Sequence, residues 1–179
     1  MRTLRILLLG VVPNFLFAAT GPGEGQGIQA KNVVTVSDRL VTSGQPTSNS
    51  LATLSKQGFQ AVIYLAPPTV SNAVPNEPDL IRGQGMDYIN IPIEWTHPTE
   101  AHFHAFVAAM KQFQGRKVLV HCQANMRASA MTFLYRVIIE GENPARAYEF
   151  VTKVWSPDGP WKTLIESQLL KSKIAFTLP

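Results

Sequence analysis

The chain has a single cysteine, Cys122, which excludes an internal disulfide. Charged residues are also scarce at 16%, and the net charge of +4 comes without a basic run or a nucleic-acid-binding motif. This balance indicates solubility and a mild attraction for anions, and it argues against nucleic-acid binding. The hydrophobic fraction of 45% over 179 residues is enough for one domain with a real core.

No hydrophobic run near the start of the chain has the length of a membrane span. The apolar stretch Ile6 to Ala19 falls short of the roughly 20 residues that a spanning helix needs. Arg2 and Arg5 precede it and small residues follow, an order typical of a secretory signal. We therefore predict that residues 1–30 are a signal peptide with a flexible Gly-rich segment, and that 31–179 form the domain. The expected location is periplasmic or secreted, with no stable membrane span after cleavage.

Strand and helix patterns alternate along the rest of the chain. This alternation predicts an α/β domain with a mainly parallel central sheet flanked by helices. Strands are predicted at Asn32 to Val36, Leu40 to Pro46, Phe59 to Leu65, Tyr88 to Ile93 and Val118 to Val120. The first helix is predicted to be capped by Asn49 or Ser50, and the others to begin at Pro98, about Arg127, Pro144 and Pro160. The proline-rich stretch from Pro67 to Pro78 is predicted to be a loop.

The most informative segment connects the buried strand at Val118 to Val120 with the helix that begins near Arg127. Connections of this kind lie at the carboxyl edge of a parallel sheet, where ligands bind in open α/β folds. Loop N–H groups and the helix N-terminus attract anions, and they favour a thiolate at Cys122. Arg127 is suited to contact two oxygens of a tetrahedral oxyanion. The segment therefore predicts a nucleophile beside an anion site, with no metal or organic cofactor required.

The run from His121-Cys122 to Arg127 resembles the signature loop of the protein tyrosine and dual-specificity phosphatases. Upstream, Leu40 to Thr47 and Ala61 to Leu65 resemble the N-terminal half of the bacterial beta-lactamase-hydrolase-like phosphatase group. The resemblance covers about residues 33–172 and implies a protein tyrosine phosphatase-like fold. It also implies a hydrolase that cleaves phosphotyrosine, aryl or other phosphomonoesters through a cysteinyl-phosphate. The implied partner is a phosphorylated small molecule or a phosphoprotein.

The loop departs from the family pattern in length, because four residues instead of five separate Cys122 from Arg127. Asn125 stands where a glycine is usual, and it is expected to adopt a left-handed conformation. His121 is expected to orient the loop through hydrogen bonds. The residues predicted to bind the substrate are His121, Gln123, Ala124, Asn125, Met126 and Ser129.

The general acid has the weakest signal, since the segment from Ile93 to Glu100 contains no aspartate. In the family an Asp on a movable loop protonates the leaving oxygen. Glu94 is the first candidate for this role. His97 and Glu100 come behind it, and Asp158 is a further candidate from a separate loop.

Two alternative functions remain open. The four-residue spacing is also that of the rhodanese sulfurtransferases, in which Cys122 would carry a persulfide. The missing aspartate favours a third reading, an inactive module that binds anions or phosphoproteins. Two further sets of residues have no assigned chemistry: His102 and His104 are predicted to be solvated, and Trp95, Trp155 and Trp161 are predicted either to line a cleft or to pack in the core.

Overall fold

The computed structural model describes residues 27–179, so the predicted signal peptide lies almost wholly outside the described residues. The strands are β1 (Val34–Ser37), β2 (Leu40–Ser43), β3 (Ala61–Tyr64), β4 (Asp87–Asn90) and β5 (Val118–His121). The helices are α1 (Ser48–Leu51), α2 (Glu77–Arg82), α3 (Glu100–Gln112), α4 (Met126–Ile138), α5 (Pro144–Thr152) and α6 (Gly159–Lys171). A 3₁₀ turn covers Ser55–Gln57.

The five strands form one sheet in the order β1-β2-β5-β3-β4, and only the β1–β2 pair is antiparallel. The predicted α/β class with a mainly parallel sheet is therefore confirmed. The register aligns Ser43, His121 and Tyr64 in one row at the carboxyl ends of β2, β5 and β3. The segment that follows β5 therefore begins between the carboxyl ends of β2 and β3.

Helices cover both faces of the sheet, which explains why the central strands are continuous apolar runs. Alternate residues of β5 enter different cores: Val118 and Val120 pack in the larger cluster and Leu119 in the smaller one. The larger cluster includes Phe106 of α3, Phe133 of α4 and Trp161 of α6. The smaller cluster is built from side chains of the α1 and α2 region, among them Leu51, Leu54 and Ile81.

Three predicted helix boundaries are wrong, each for a local reason. The loop predicted from Pro67 to Pro78 ends two residues early, because α2 begins at Glu77 and Pro78 occupies its first turn, where no N–H needs an intrahelical partner. The N-cap of α1 is Thr47, whose side chain accepts a hydrogen bond from the Ser50 N–H, and not Asn49 or Ser50. Helix α3 begins at Glu100 instead of Pro98, after the N-cap Thr99.

The start of α3 also corrects the prediction for His102. Its Nδ1 accepts a hydrogen bond from the Thr99 N–H at 3.1 Å, and its own N–H donates to the Thr99 Oγ1 at 3.3 Å. Burial lowers the pKa of His102, and His97 lowers it further, so the neutral ring can act as this acceptor. His102 is therefore a half-buried capping residue and is not solvated. No helix within residues 27–179 is long and apolar enough to cross a bilayer.

Candidate active site

A pocket of about 270 Å³ lies at the carboxyl end of β5. Its walls are formed by Trp95, Cys122, Gln123, Ala124, Met126 and Arg127. Among these six residues, Arg127 is the only charged one. Cys122 directly follows β5 and is fully buried, although it lines the pocket. A reactant must therefore enter the pocket to reach the sulfur.

The backbone of the loop after Cys122 has its carbonyl groups fixed by neighbouring segments. The Gln123 carbonyl accepts hydrogen bonds from the Gln45 N–H at 3.3 Å and from the Asn72 Nδ2 at 3.2 Å. The Ala124 carbonyl accepts from the Asn32 Nδ2 at 3.0 Å. Within residues 27–179, the N–H groups of Gln123, Ala124 and Met126 donate to no protein acceptor. Peptides held in this way leave N–H groups available for an anion.

Asn125 ends the loop and begins α4. Its φ of +71° confirms the predicted left-handed conformation, which Asn tolerates better than most residues. Its Nδ2 donates to the Asn32 carbonyl at 2.5 Å and to the Thr42 Oγ1 at 3.0 Å. These bonds fix the turn that points the N-terminus of the 13-residue helix α4 at the loop. The partial positive charge of that helix end favours a bound anion.

Arg127 lies in the first turn of α4 and is 4% exposed. Its Nε donates to the Ile93 carbonyl at 2.9 Å, and its guanidinium carbon stands 5.3 Å from the centre of the Trp95 ring. Both contacts restrict the side chain. No other hydrogen bond of this guanidinium is found in the described part of the chain, so the two terminal nitrogens are available for a ligand. A planar guanidinium held in this way suits bidentate contact with two oxygens.

Behind the loop, the fully buried His121 is paired with a residue that the sequence analysis missed. Its Nε2 lies 2.6 Å from the Oε1 of Glu77, which is 2% exposed, and the Gln45 Nε2 donates to the Glu77 Oε2 at 2.6 Å. The Tyr64 ring stacks on the imidazole with centroids 4.7 Å apart. Burial raises the pKa of Tyr64, and the Glu77 carboxylate and the Cys122 sulfur raise it further. These groups are therefore close enough to act on one another electrostatically.

The structure separates the predicted site residues into two groups. Cys122, Arg127 and the loop residues Gln123, Ala124 and Met126 meet at the pocket. The other predicted residues do not line it. His121 and Asn125 lie buried behind the loop.

The remaining candidates are placed elsewhere. The Ser129 hydroxyl donates to the Met126 carbonyl at 3.1 Å and accepts from the Trp155 Nε1 at 3.2 Å. Glu94 is exposed and is not among the pocket residues. His97 and Glu100 line a separate cavity beside α6, where the Glu100 Oε2 is paired with the Lys171 Nζ at 2.5 Å. Within residues 27–179, no group of three His, Cys, Asp or Glu side chains is placed to hold a metal ion.

The tryptophans combine both of the roles predicted for them. Trp95 lines the pocket, and its ring packs against Trp155 and Trp161 at centroid distances of 5.4 and 5.6 Å. The Trp161 Nε1 donates to the Trp95 carbonyl at 2.9 Å. This cluster fixes the segment before α3 against α6, and Trp95 then supports Arg127 from the side.

Gly44 allows the chain after β2 to approach the loop closely. A Cβ at this position would lie 3.0 Å from the Lys31 carbonyl oxygen and 3.2 Å from both the Ala124 Cα and the Gln123 carbonyl oxygen. All three are backbone atoms, so the loop has to move. We expect Gly44→Ala to destabilise the protein by about 1–3 kcal/mol and to weaken phosphate binding, because overpacking displaces the backbone. Denaturant unfolding and phosphate titration test this.

Gly27→Ala is the matched control, because nothing within residues 27–179 lies within 4 Å of a Cβ added there. Its unfolding midpoint should equal that of the wild type. A Gly44→Ala protein with wild-type stability and wild-type phosphate binding would show that the loop is not closely packed at this point.

Comparison with known proteins agrees with this geometry. A family model described as "DSP-PTPase phosphatase fused to NAD+ Kinase" matches residues 12–160. The beta-lactamase hydrolase-like protein of Xylella fastidiosa (strain Temecula1 / ATCC 700964) is 32% identical over 112 residues, which are 59% of this chain and 25% of that protein. The chain therefore spans about a quarter of the length of this curated relative.

Solved structures give the same picture. The DUF442 protein of Shewanella putrefaciens CN-32 is 36% identical with a TM-score of 0.74, and the match covers 82% of this chain and 95% of that one. Tk-PTP in its active form is 17% identical with a TM-score of 0.62, covering 79% and 96% of the two chains, and it shares the fold. The resemblance expected from the loop is confirmed. The chain belongs to the DSP-PTPase phosphatase family and has the protein tyrosine phosphatase-like fold.

Proposed function

We propose that the protein hydrolyses phosphomonoesters, with phosphotyrosine and other aryl phosphates as the preferred class, through a cysteinyl-phosphate. The Cys122 thiolate attacks phosphorus, an S–P bond forms, and the P–O bond to the leaving group breaks. The leaving oxygen takes a proton from an acid or from water. Water then attacks the phosphorus, the S–P bond breaks, and inorganic phosphate and the thiolate are released. Arg127 and the loop N–H groups hold the non-bridging oxygens through both steps.

One observation carries this proposal: the loop carbonyls are bonded to surrounding segments while three of its N–H groups have no protein acceptor in the described residues. The three residues with unpaired N–H groups line the pocket together with Cys122 and Arg127, and helix α4 begins there. Because Arg127 is the only charged pocket residue, a single phosphate on an apolar group is the matching ligand. Trp95, Ala124 and Met126 supply the apolar surface for an aromatic leaving group.

The direct test is incubation of reduced protein with p-nitrophenyl phosphate. Release of nitrophenolate, inhibited competitively by inorganic phosphate, is the expected result. A folded protein with a free thiol that releases none contradicts the proposal.

We propose Glu94 as the general acid that protonates the leaving oxygen. Glu94 is exposed and does not line the pocket, so in this proposal it reaches the leaving oxygen only when a substrate is bound. We expect Glu94→Gln to lower kcat for phenyl phosphate by about ten-fold or more and to affect p-nitrophenyl phosphate less, because nitrophenolate leaves without a proton. Steady-state kinetics with both substrates tests this difference.

Glu166→Gln is the control, since it removes the same charge from an exposed site on α6. Its kcat should match that of the wild type for both esters. Equal effects of Glu94→Gln on the two esters would exclude Glu94 as the acid.

A second candidate function is sulfur transfer by a Cys122 persulfide. The four-residue spacing and the absence of a carboxylate among the six pocket residues favour it, because transfer of sulfane sulfur needs no general acid. Treatment with thiosulfate or polysulfide followed by intact mass distinguishes the two. A stable gain of one sulfur atom on Cys122 supports sulfur transfer. Phosphate binding with neither sulfur uptake nor ester hydrolysis supports the third alternative, a binding module.

The proposed partner is a phosphorylated small molecule or a phosphoprotein. Export to the periplasm or the medium is proposed from residues 1–30 alone. N-terminal sequencing of protein recovered from these compartments tests it, and an unprocessed N-terminus on cytoplasmic protein contradicts it.

A further inference from the structure

Three polar side chains behind the pocket, two of them buried and one half-buried, form a chain that the proposed reaction does not use. We call Gln45, Glu77 and His121 the polar brace. The Glu77 carboxylate is bonded at both oxygens, by the His121 Nε2 and by the Gln45 Nε2, each at 2.6 Å. Glu77 and His121 are 2% and 0% exposed, so both are shielded from bulk solvent. The brace links the start of α2 to the end of β5.

Stability alone does not explain a buried carboxylate at this position. Removing a carboxylate from water costs several kcal/mol, and replacing a buried polar pair with apolar residues is often neutral or stabilising. The His121 Nδ1 and the Gln45 Oε1 are also buried without a partner in the described residues. The unfavourable burial of these polar groups occurs next to the nucleophile Cys122, and this indicates that the brace has a role in the site.

Both ends of the brace reach the anion-binding loop. Gln45 donates its backbone N–H to the Gln123 carbonyl, the first carbonyl after the nucleophile. His121 directly precedes Cys122, and its carbonyl accepts from the Leu65 N–H at 2.9 Å. Glu77 therefore holds His121, which precedes Cys122, and also Gln45, whose backbone N–H binds the Gln123 carbonyl after Cys122. A carboxylate suits this place, because it accepts from two donors at once.

We infer that Glu77 is a positioning residue that keeps the anion-binding loop in its ligand-ready conformation through His121 and Gln45. This inference deepens the proposed function and rests on the same pocket. It assigns Glu77 no contact with the substrate. If the brace is broken, the loop peptides rotate and the N–H groups no longer converge, so affinity for a phosphate falls before the fold is lost.

The test compares Glu77→Gln with the wild type by phosphate protection of Cys122 against iodoacetamide, an assay that requires no turnover. We expect phosphate to bind about ten-fold more weakly to Glu77→Gln. KM for p-nitrophenyl phosphate should rise by a similar factor. The kcat value is corrected for the folded fraction, so that a loss of folded protein is not counted as a loss of activity. Asp79→Asn is the matched control, because it removes an exposed carboxylate from the same helix turn, and it should change neither value.

A folded Glu77→Gln with wild-type phosphate affinity and KM overturns the inference. So does a variant that loses activity only in proportion to its unfolded fraction. If Glu77→Gln does not fold, Gln45→Met breaks the other bond at a half-buried position, and it should weaken phosphate binding about three-fold. Unchanged affinity in that variant also overturns it. If the wild-type protein binds phosphate but does not hydrolyse esters, the proposed hydrolase function is contradicted and this inference is not. If phosphate does not protect Cys122 in the wild type, this inference is contradicted.

Discussion

Replacement of Cys122 by serine is expected to abolish ester hydrolysis while the protein still binds phosphate. The loop N–H groups, the α4 N-terminus and Arg127 all remain in the variant, so the anion site is intact. None of the six residues that line the pocket is a general base, so a serine hydroxyl at this position is not activated. We expect kcat to fall by about 10⁴-fold or more, with phosphate affinity within about three-fold of the wild type.

The two parts of this result need separate measurements. Nitrophenolate release gives the loss of turnover, and isothermal titration with inorganic phosphate gives the retained binding. Loss of both functions in a folded variant would show that Cys122 organises the site instead of reacting in it. Turnover equal to that of the wild type would end the mechanism.

Arg127→Lys is expected to produce the second-largest loss. The guanidinium donates through Nε to the Ile93 carbonyl and stacks beside Trp95, with its terminal nitrogens left for the ligand. A lysine ammonium cannot make the backbone contact and bind two oxygens in one plane. We expect kcat/KM for p-nitrophenyl phosphate to drop by about 10²–10³-fold, with weaker phosphate binding contributing to the loss.

Arg146→Lys provides the control, because Arg146 is exposed on α5 and lines no part of the pocket. The same exchange there should leave kcat/KM unchanged. If Arg127→Lys retains most of its activity, a point charge is sufficient at this position and bidentate contact is not required.

The loop that contains Cys122 and Arg127 is one continuous segment, and for this reason it can be predicted from the sequence. A buried strand, a short loop and a helix are consecutive, so the order from Val118 to Arg127 alone determines that Cys122 lies beside a helix N-terminus. Asn125 follows from the same reasoning, since few residues other than glycine tolerate a positive φ. The mainly parallel sheet was likewise predictable from the alternation of elements.

The supporting contacts could not be predicted in this way, because they depend on long-range packing. Glu77 lies 44 positions before His121, in a stretch whose prolines indicated a loop. The pattern Asn76-Glu77-Pro78 did contain a helix-start signal, with proline in the first turn. That the Glu77 carboxylate turns inward, however, is decided by the β3–β5 register and by the position of Gln45, and no local rule describes either.

The same distinction explains Ser129 and Glu94. Ser129 is close to Arg127 in sequence, but one extra residue rotates its hydroxyl around the helix to Trp155 and to the Met126 carbonyl. Glu94 was selected by its position before α3, and its distance from the pocket depends on how the tryptophan cluster holds that segment. Closeness in sequence does not predict which side chains line the pocket where the direction of the side chain decides its contacts.

Identification of the group carried by Cys122 during turnover tests the central claim most directly. The wild type is mixed with an aryl phosphate, quenched within the first turnover by denaturation at alkaline pH, where the S–P bond is stable, and the Cys122 peptide is analysed by mass spectrometry. We expect one phosphoryl group on the Cys122 sulfur, which appears with the released phenol and decays with the release of inorganic phosphate. An unmodified Cys122 under conditions in which phenol is released would contradict it, because hydrolysis would then proceed without the thiolate as nucleophile.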